Sequence, residues 1–321
     1  MFNTRINRIL VGLLTVLLVV ACQSDPNRPP SNSKAPASCH PIQHGLGKAC
    51  VPQPPKRLIS LDDSTLANAL ILGVPSVGCA LPDAAPLDYL NQYMEKKGYG
   101  TEFLGQSTQP NVEKILMLKP DLILGVVPFG EPIYTQLAEI APTAMGEWQG
   151  SPSWREHFDF VAQTLGKEPE AKSIWSQYYQ RIDALQQALG DRLDNLELST
   201  IYAYGDQMTV DVRNSFAGSI FSDIGIQQPR NHSPNTNGVL VLSEERIPEI
   251  DADILFVNIY DAESKHLLDE WQKKPLWKQL KAVQSGQVYV VDANFWRGGN
   301  PIAANLMIDD LFKYLVNRPS A

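Results

Sequence analysis

The chain has 321 residues, 44% hydrophobic and 19% charged, the composition of a folded globular protein rather than a disordered one. That length holds one large or two ordinary domains. Its formal charge of −8 argues against nucleic acid as a general partner.

At the N-terminus, Arg5 and Arg8 precede an apolar run from Ile9 to Val20 that ends in Ala21-Cys22. A basic stretch, a short apolar stretch and a small residue describe an export signal. The run is too short for a membrane-spanning helix, which needs about 20 apolar residues. A Cys directly after the small residue resembles a bacterial lipobox. That resemblance makes 1–21 a leader and Cys22 the lipid-bearing first residue; the plainer alternative is an ordinary signal peptide with an incidental Cys. Losing the leader removes two positive charges from the formal −8 and leaves −10. Gln23 to Ser38 is rich in Pro, Ser and Asn, so it reads as a tether.

Cys39 and Cys50 flank Gln43-His44-Gly45-Leu46-Gly47-Lys48, which has the glycines of a hairpin turn. Disulfides persist outside the cytoplasm, so Cys39–Cys50 is the expected bridge, contributing about 2–3 kcal/mol. A zinc site from Cys39, His40, His44 and Cys50 is the alternative. Cys79 is expected to be a buried thiol. Residues 22–55 therefore form tether and hairpin.

From residue 56 short apolar runs alternate with helical patterns. Leu58 to Leu61 reads as a strand. Asp63 or Ser64 caps a helix carrying Leu66, Leu70 and Ile71, and Gly73 ends it. A helix over 112–118 leads to a strand over 121–126, and a helix over 132–140 follows. This order predicts a parallel sheet covered by helices, ending near 150. Trp154, Phe158, Val161 and Leu165, then Ile174, Tyr178, Ile182, Leu185 and Leu189, keep a helical period. Residues 151–195 are thus a helical bridge. Alternation resumes in a second lobe, 196–321. Strands are expected at 199–204, 208–212, 253–259 and 287–291, a helix after Ser215, and a last helix opened by Asn300-Pro301. Glu113 to Leu124 also echoes Glu245 to Phe256 without a gap, matching Glu, Ile, Asp and the start of an apolar strand.

The chain resembles the substrate-binding proteins that serve importers of ferric siderophores, haem and vitamin B12. The resemblance runs from Ile42 to Val316. It is carried by His44-Gly45 leading into Pro52 to Leu61, the Leu72-Gly73-Val74 turn, Asn111 to Leu124 and the long helical segment. The second lobe adds Ile220 to Ile226, Glu245 to Leu255, Pro275-Leu276-Trp277 and Gly286 to Val291. It implies an α/β fold of two lobes with mainly parallel sheets, joined by a long helical bridge, with the ligand cleft between the lobes. A rigid bridge would permit only modest closure. In open α/β sheets ligands also sit beyond the carboxyl ends of the strands.

A ferric siderophore is bulky and often anionic, so its pocket needs aromatic walls and Arg. Trp296 and Arg297, following the last strand, are the leading pair, and Trp296 matches a family cleft aromatic. Phe129 matches an aromatic facing the ligand from the first lobe, and Trp148 is expected near the cleft floor. Tyr204, Arg213 and Tyr260 stand at strand ends of the second lobe. The loop 227–237 is expected to drape over the ligand, with Arg230 and His232 solvated. Each of these has a bland reading as a packing or surface residue. By the resemblance, Glu113 and Glu245 dock one lobe each onto arginines of the permease; first-turn glutamates favoured by the helix dipole are the alternative.

Catalytic motifs are missing: no Gly-x-Ser-x-Gly elbow, no Walker loop and no His-Glu-x-x-His. No catalysis, no cofactor and no protein-bound metal are expected. The sequence reading is a lipid-anchored, monomeric binding protein outside the cytoplasmic membrane that hands a ferric siderophore to an ABC permease dimer. Haem or vitamin B12 in the same fold, or a lipoprotein sensor or adaptor, are the alternatives.

Overall fold

The computed structural model describes residues 39–81, 87–204 and 207–317; Cys22 and the tether lie outside the described residues. Strands β1 (Cys39–His44) and β2 (Gly47–Pro52) pair antiparallel, with His44 opposite Gly47. Gly47 holds a φ of 142°, which a residue with a Cβ rarely adopts. Cys39 and Cys50 are disulfide-bonded across the hairpin, with Cα atoms 5.3 Å apart. Both thiols are therefore spent, and the zinc alternative falls. His40 is exposed, while His44 turns in against Tyr134.

In the first lobe, β3 (Leu58–Ser60) leads to α1 (Asp63–Ile71), and β4 (Ser76–Leu81) and α2 (Asp88–Lys97) follow. Next come β5 (Glu102–Gln106), β6 (Gln109–Pro110), α3 (Val112–Met117) and β7 (Leu122–Val126). The lobe closes with α4 (Val127–Gly130), α5 (Tyr134–Ile140) and β8 (Thr143–Gly146). The sheet order is β6-β5-β4-β3-β7-β8, parallel except for the short β6 edge. Strands β3 and β7 are buried along their whole length, so they read as continuous apolar runs rather than alternating ones.

The bridge is α6 (Trp154–Leu165) and α7 (Glu168–Leu189), separated by Gly166, which caps α6 with a φ of 65°. At 22 residues, α7 runs about 33 Å. Its buried stripe is Ala171, Tyr178, Ile182, Leu185 and Leu189, at the spacing of one helical face.

In the second lobe, β9 (Leu198–Tyr204) and β10 (Gln207–Asp211) precede α8 (Phe216–Ile224), capped by the Ser215 hydroxyl, and β11 (Val239–Leu242). A 3₁₀ turn over Glu244–Ile250 feeds β12 (Ile254–Ile259); α9 (Ala262–Lys273), α10 (Lys281–Gln284) and β13 (Val288–Asp292) follow. Helices α11 (Ala293–Trp296) and α12 (Pro301–Leu311) end the lobe. The order β11-β10-β9-β12-β13 is parallel on the β9-β12-β13 side and antiparallel on the β9-β10-β11 side. The close spacing of β9 and β10 makes that pair antiparallel, because a parallel crossover takes a dozen or more residues.

The internal echo is structural. In each lobe a short helical turn leads into a buried strand, and the shared Asp does the same job. Asp121 accepts the backbone N–H groups of Lys56 and Arg57 just before β3, at 2.8 and 2.9 Å. Asp253 accepts that of Glu197 just before β9, at 2.9 Å. Pro248 keeps the second turn 3₁₀ where the first is α-helical.

One hydrophobic core runs through both lobes, joining Leu66 and Leu70 of α1, Tyr178 and Ile182 of the bridge, Phe256 of β12 and Met307 of α12. Asn300 caps α12 and also donates to the Tyr89 hydroxyl at 2.9 Å, tying the lobes together. Trp154 donates to Ser219 at 3.0 Å, and Asp223 receives both Arg155 and Tyr178 at 2.6 Å. Such a seam favours small relative movements over a wide hinge.

Candidate functional site

The segment 296–300 touches both lobes: Asn300 donates to Tyr89 of the first, and Arg297 lies on Tyr202 of the second. Alternate residues of a strand share a face, so Tyr202 of β9 and its ladder partner Thr209 of β10 put Asp211 on the same side of the second sheet. Arg297, just after α11, lies over that side. Its guanidinium carbon stands 3.5 Å from the centre of the Tyr202 ring. Its Nε donates to Asp211 Oδ1 at 3.4 Å, and its Nη1 to the Tyr260 hydroxyl at 2.8 Å. Burial opposes the charge of Arg297, but Asp211 and the two tyrosines outweigh it and hold its pKa above the ordinary value. Burial raises the pKa of Asp211 in turn, and Arg297 resists the shift. Tyr260 is 42% exposed, so this cluster opens to solvent.

Arg213 is exposed and donates through Nη2 to the carbonyl of Gln228 at 3.2 Å. Its backbone N–H bonds His232 O, and Asn214 exchanges two hydrogen bonds with Asn235. The loop 227–237 is thereby laced to the end of β10. A Cβ added to Gly238 would come within 3.1 Å of Pro152, so the loop's far end lies beside the start of the bridge.

On the first-lobe wall, β3 delivers Asp62 and Asp63 to the start of α1. The Asp62 carboxylate accepts both the Thr65 amide and the Thr65 hydroxyl at 2.8 Å. That hydroxyl lies 3.0 Å from His157 Nε2. Since Thr65 donates to Asp62, it accepts from His157, which leaves His157 Nδ1 without a proton or a partner. Burial pushes the pKa of Asp62 up to about 7 and that of His157 down to about 4. Asp63, beside them, is raised to about 6, also by burial, and its charge reaches Tyr260 of the other wall. Trp148 is half-buried, its ring edge-on to His157 at a centroid distance of 5.4 Å. Its Cη2 lies 3.3 Å from where a Cβ on Gly299 would stand, so Trp148 touches the segment that bears Arg297. Phe129 sits half-buried on α4.

Two expectations need correction. Trp296 is not a cleft wall. It is fully buried, packs on Phe256 at 4.5 Å and donates to Asp310 at 2.9 Å. Burying a large ring whose N–H finds an acceptor outweighs any gain from exposing it. Its effect on the site is indirect, because it anchors the residue before Arg297. His232 is buried rather than solvated; its Nε2 bonds Glu249 O at 3.1 Å, and burial lowers its pKa to about 4. The Tyr204 side chain lies outside the described residues. Asp211, Tyr202, Asp62 and His157 escaped sequence reasoning, although an acid closing the apolar strand β10 was a usable signal.

A family model for periplasmic binding proteins matches residues 65–295. The chain belongs to that family. It is 31% identical to a probable siderophore-binding lipoprotein of Bacillus subtilis, over 97% of this chain and 98% of that protein. It is 32% identical to an Fe(3+)-citrate-binding protein of the same organism, over 89% of each. The solved structure of Staphylococcus aureus SirA complexed with staphyloferrin B superposes with a TM-score of 0.74 at 28% identity, covering 86% of this chain and 98% of that one. The two-lobed fold with its long bridging helix is therefore that of the siderophore-binding members of the periplasmic binding protein family.

Proposed function

We propose that this periplasmic binding protein captures a ferric siderophore at the carboxyl ends of its two sheets and delivers it to an ABC importer. The observation that carries the reading is Arg297, partly exposed and held open by Tyr202, Asp211 and Tyr260. A guanidinium in that setting suits oxygen-rich anions. Phe129 and Trp148 supply aromatic surface from the other lobe; Arg213, following the antiparallel β10, lies toward the amino end of β9, where its charge acts on Glu197. The relatives that bind siderophores and ferric citrate support the cargo class. Haem gains no comparable support. Among the described residues His44, His157 and His232 are buried, His40 and His266 are exposed, and the Tyr260 hydroxyl is engaged.

Glu113 and Glu245 take the docking role. Both are exposed on corresponding turns of the two lobes, and Leu116 and Met117 beside Glu113 are 58% and 72% exposed. A Cys22 lipid and the Gln23–Ser38 tether would keep the protein at the outer face of the cytoplasmic membrane. No helix among the described residues is long and apolar enough to cross it.

The test is a tryptophan-fluorescence titration of the mature protein with a panel of ferric siderophores. A member of the panel quenches Trp148 and binds with micromolar or tighter affinity, about −8 kcal/mol or better. A flat response to the whole panel, by fluorescence and by calorimetry, removes the proposal.

A further inference from the structure

We infer that Asp211 is the positioning residue for Arg297, and that Arg297 so aimed clamps a carboxylate, which makes the cargo a carboxylate-bearing ferric chelate. This rests on the siderophore reading above.

Asp211 is 2% exposed at the end of β10. Its side chain has one partner among the described residues, Arg297 Nε on Oδ1, while Oδ2 is buried with none. A buried carboxylate with half its acceptors unused is a poor stabiliser, and apolar replacements for such pairs are often neutral or better. What Asp211 does supply is direction. An arginine side chain has many rotamers. Here the Tyr202 ring fixes its plane, Asp211 takes the Nε corner and Tyr260 takes one Nη1 proton. Of the five N–H groups on a guanidinium, the three left are on Nη1 and Nη2. The side chain is 21% exposed, so that free edge meets solvent. Two parallel N–H groups on one edge match the two oxygens of a carboxylate.

Asp211 cancels Arg297, so the pair contributes shape rather than net charge. Arg213 takes no part in the fork: held through Gln228, it lies toward the amino end of β9, where its charge acts on Glu197. A hydroxamate chelate offers that edge only oxygens already shared with iron, a poorer match to the fork than a free carboxylate.

The first arm of the test titrates wild type with ferric citrate and with ferrioxamine B, which carries no carboxylate. Ferric citrate is expected to bind at least about tenfold tighter. Ferrioxamine B binding as well or better overturns the inference. If neither these nor any other ferric siderophore binds, the siderophore reading itself has failed. When another siderophore binds instead, the second arm uses that one, and the inference is overturned if it has no carboxylate.

The second arm is a double-mutant cycle with Asp211→Ala, Arg297→Ala and both together. Asp211→Ala is expected to weaken binding about tenfold in wild type and to have no further effect once Arg297 is gone. Binding unchanged by Asp211→Ala, or a loss that adds in full to that of Arg297→Ala, overturns the positioning role. Asp211→Asn keeps an acceptor for Nε and serves if the alanine variant does not fold. It should cost about two- to fivefold, again only in the presence of Arg297. An equal loss in both backgrounds overturns the role.

Discussion

The two lobes share an architecture and an acid at matching points, yet the walls they bring to the cleft differ in chemistry. The first wall presents the Asp63 carboxyl group, with the buried Asp62, a neutral buried imidazole and an indole behind it. The second presents a guanidinium braced by phenols. Asp63 and Tyr260 stand just beyond strand ends, and Arg297 just beyond α11. There the ladder no longer dictates the side chain, so one scaffold can carry opposite charge on its two faces. Asp121 and Asp253 show the reverse case. Each satisfies backbone N–H groups inside the architecture, and the lobes agree in that position.

The largest expected effect tests the claim that the second wall rests on Trp296. Trp296→Ala should cost about 3–5 kcal/mol in denaturant unfolding, as for other buried aromatics. A loss under about 1 kcal/mol would place Trp296 among surface residues and break the comparison.

Next is the opposed pH behaviour of the first wall. His157 titrates near 4 folded against 6.5 unfolded, so its stabilising neutral state is lost as pH falls through that window, at a cost of about 3 kcal/mol. Asp62 runs the other way. Its folded pKa of about 7 exceeds the ordinary 3.8, so its contribution is full below pH 4 and is lost as pH rises toward 7. Relative to wild type, His157→Gln should therefore gain stability between pH 6.5 and 4. Asp62→Asn should be the steadier protein at pH 8, with the advantage shrinking in acid. Melting curves that shift in parallel for both variants at every pH would show that the network does not titrate as described.

A smaller effect separates the walls by binding. Arg297→Ala should weaken ferric-siderophore affinity by about 10- to 100-fold, the range for charged hydrogen bonds, and Trp148→Ala by less than about tenfold. Calorimetry that reverses this ranking would make the aromatic wall the dominant one. Smallest of all, Glu113→Ala and Glu245→Ala should leave siderophore affinity within about twofold while reducing iron uptake by cells, more when combined. Unchanged uptake in the double variant would end the docking role.

Much of the fold was legible in the sequence because it depends on local order. The β-α-β rhythm and the helical bridge are written by backbone periodicity over a few residues, the hairpin by two cysteines flanking a glycine turn, and the Glu113/Glu245 echo by two segments that match without a gap. Local pattern also put Tyr260 at a strand end and Arg297 in the stretch after the last strand, where α11 intervenes. Only tertiary structure decided which way Trp296 and His232 face, and that Asp211 meets Arg297 across 86 positions while Thr65 meets His157 across 92. Those outcomes turn on whether burial finds a hydrogen-bond partner for each polar atom. The partners come from distant strands and helices that no local spacing connects.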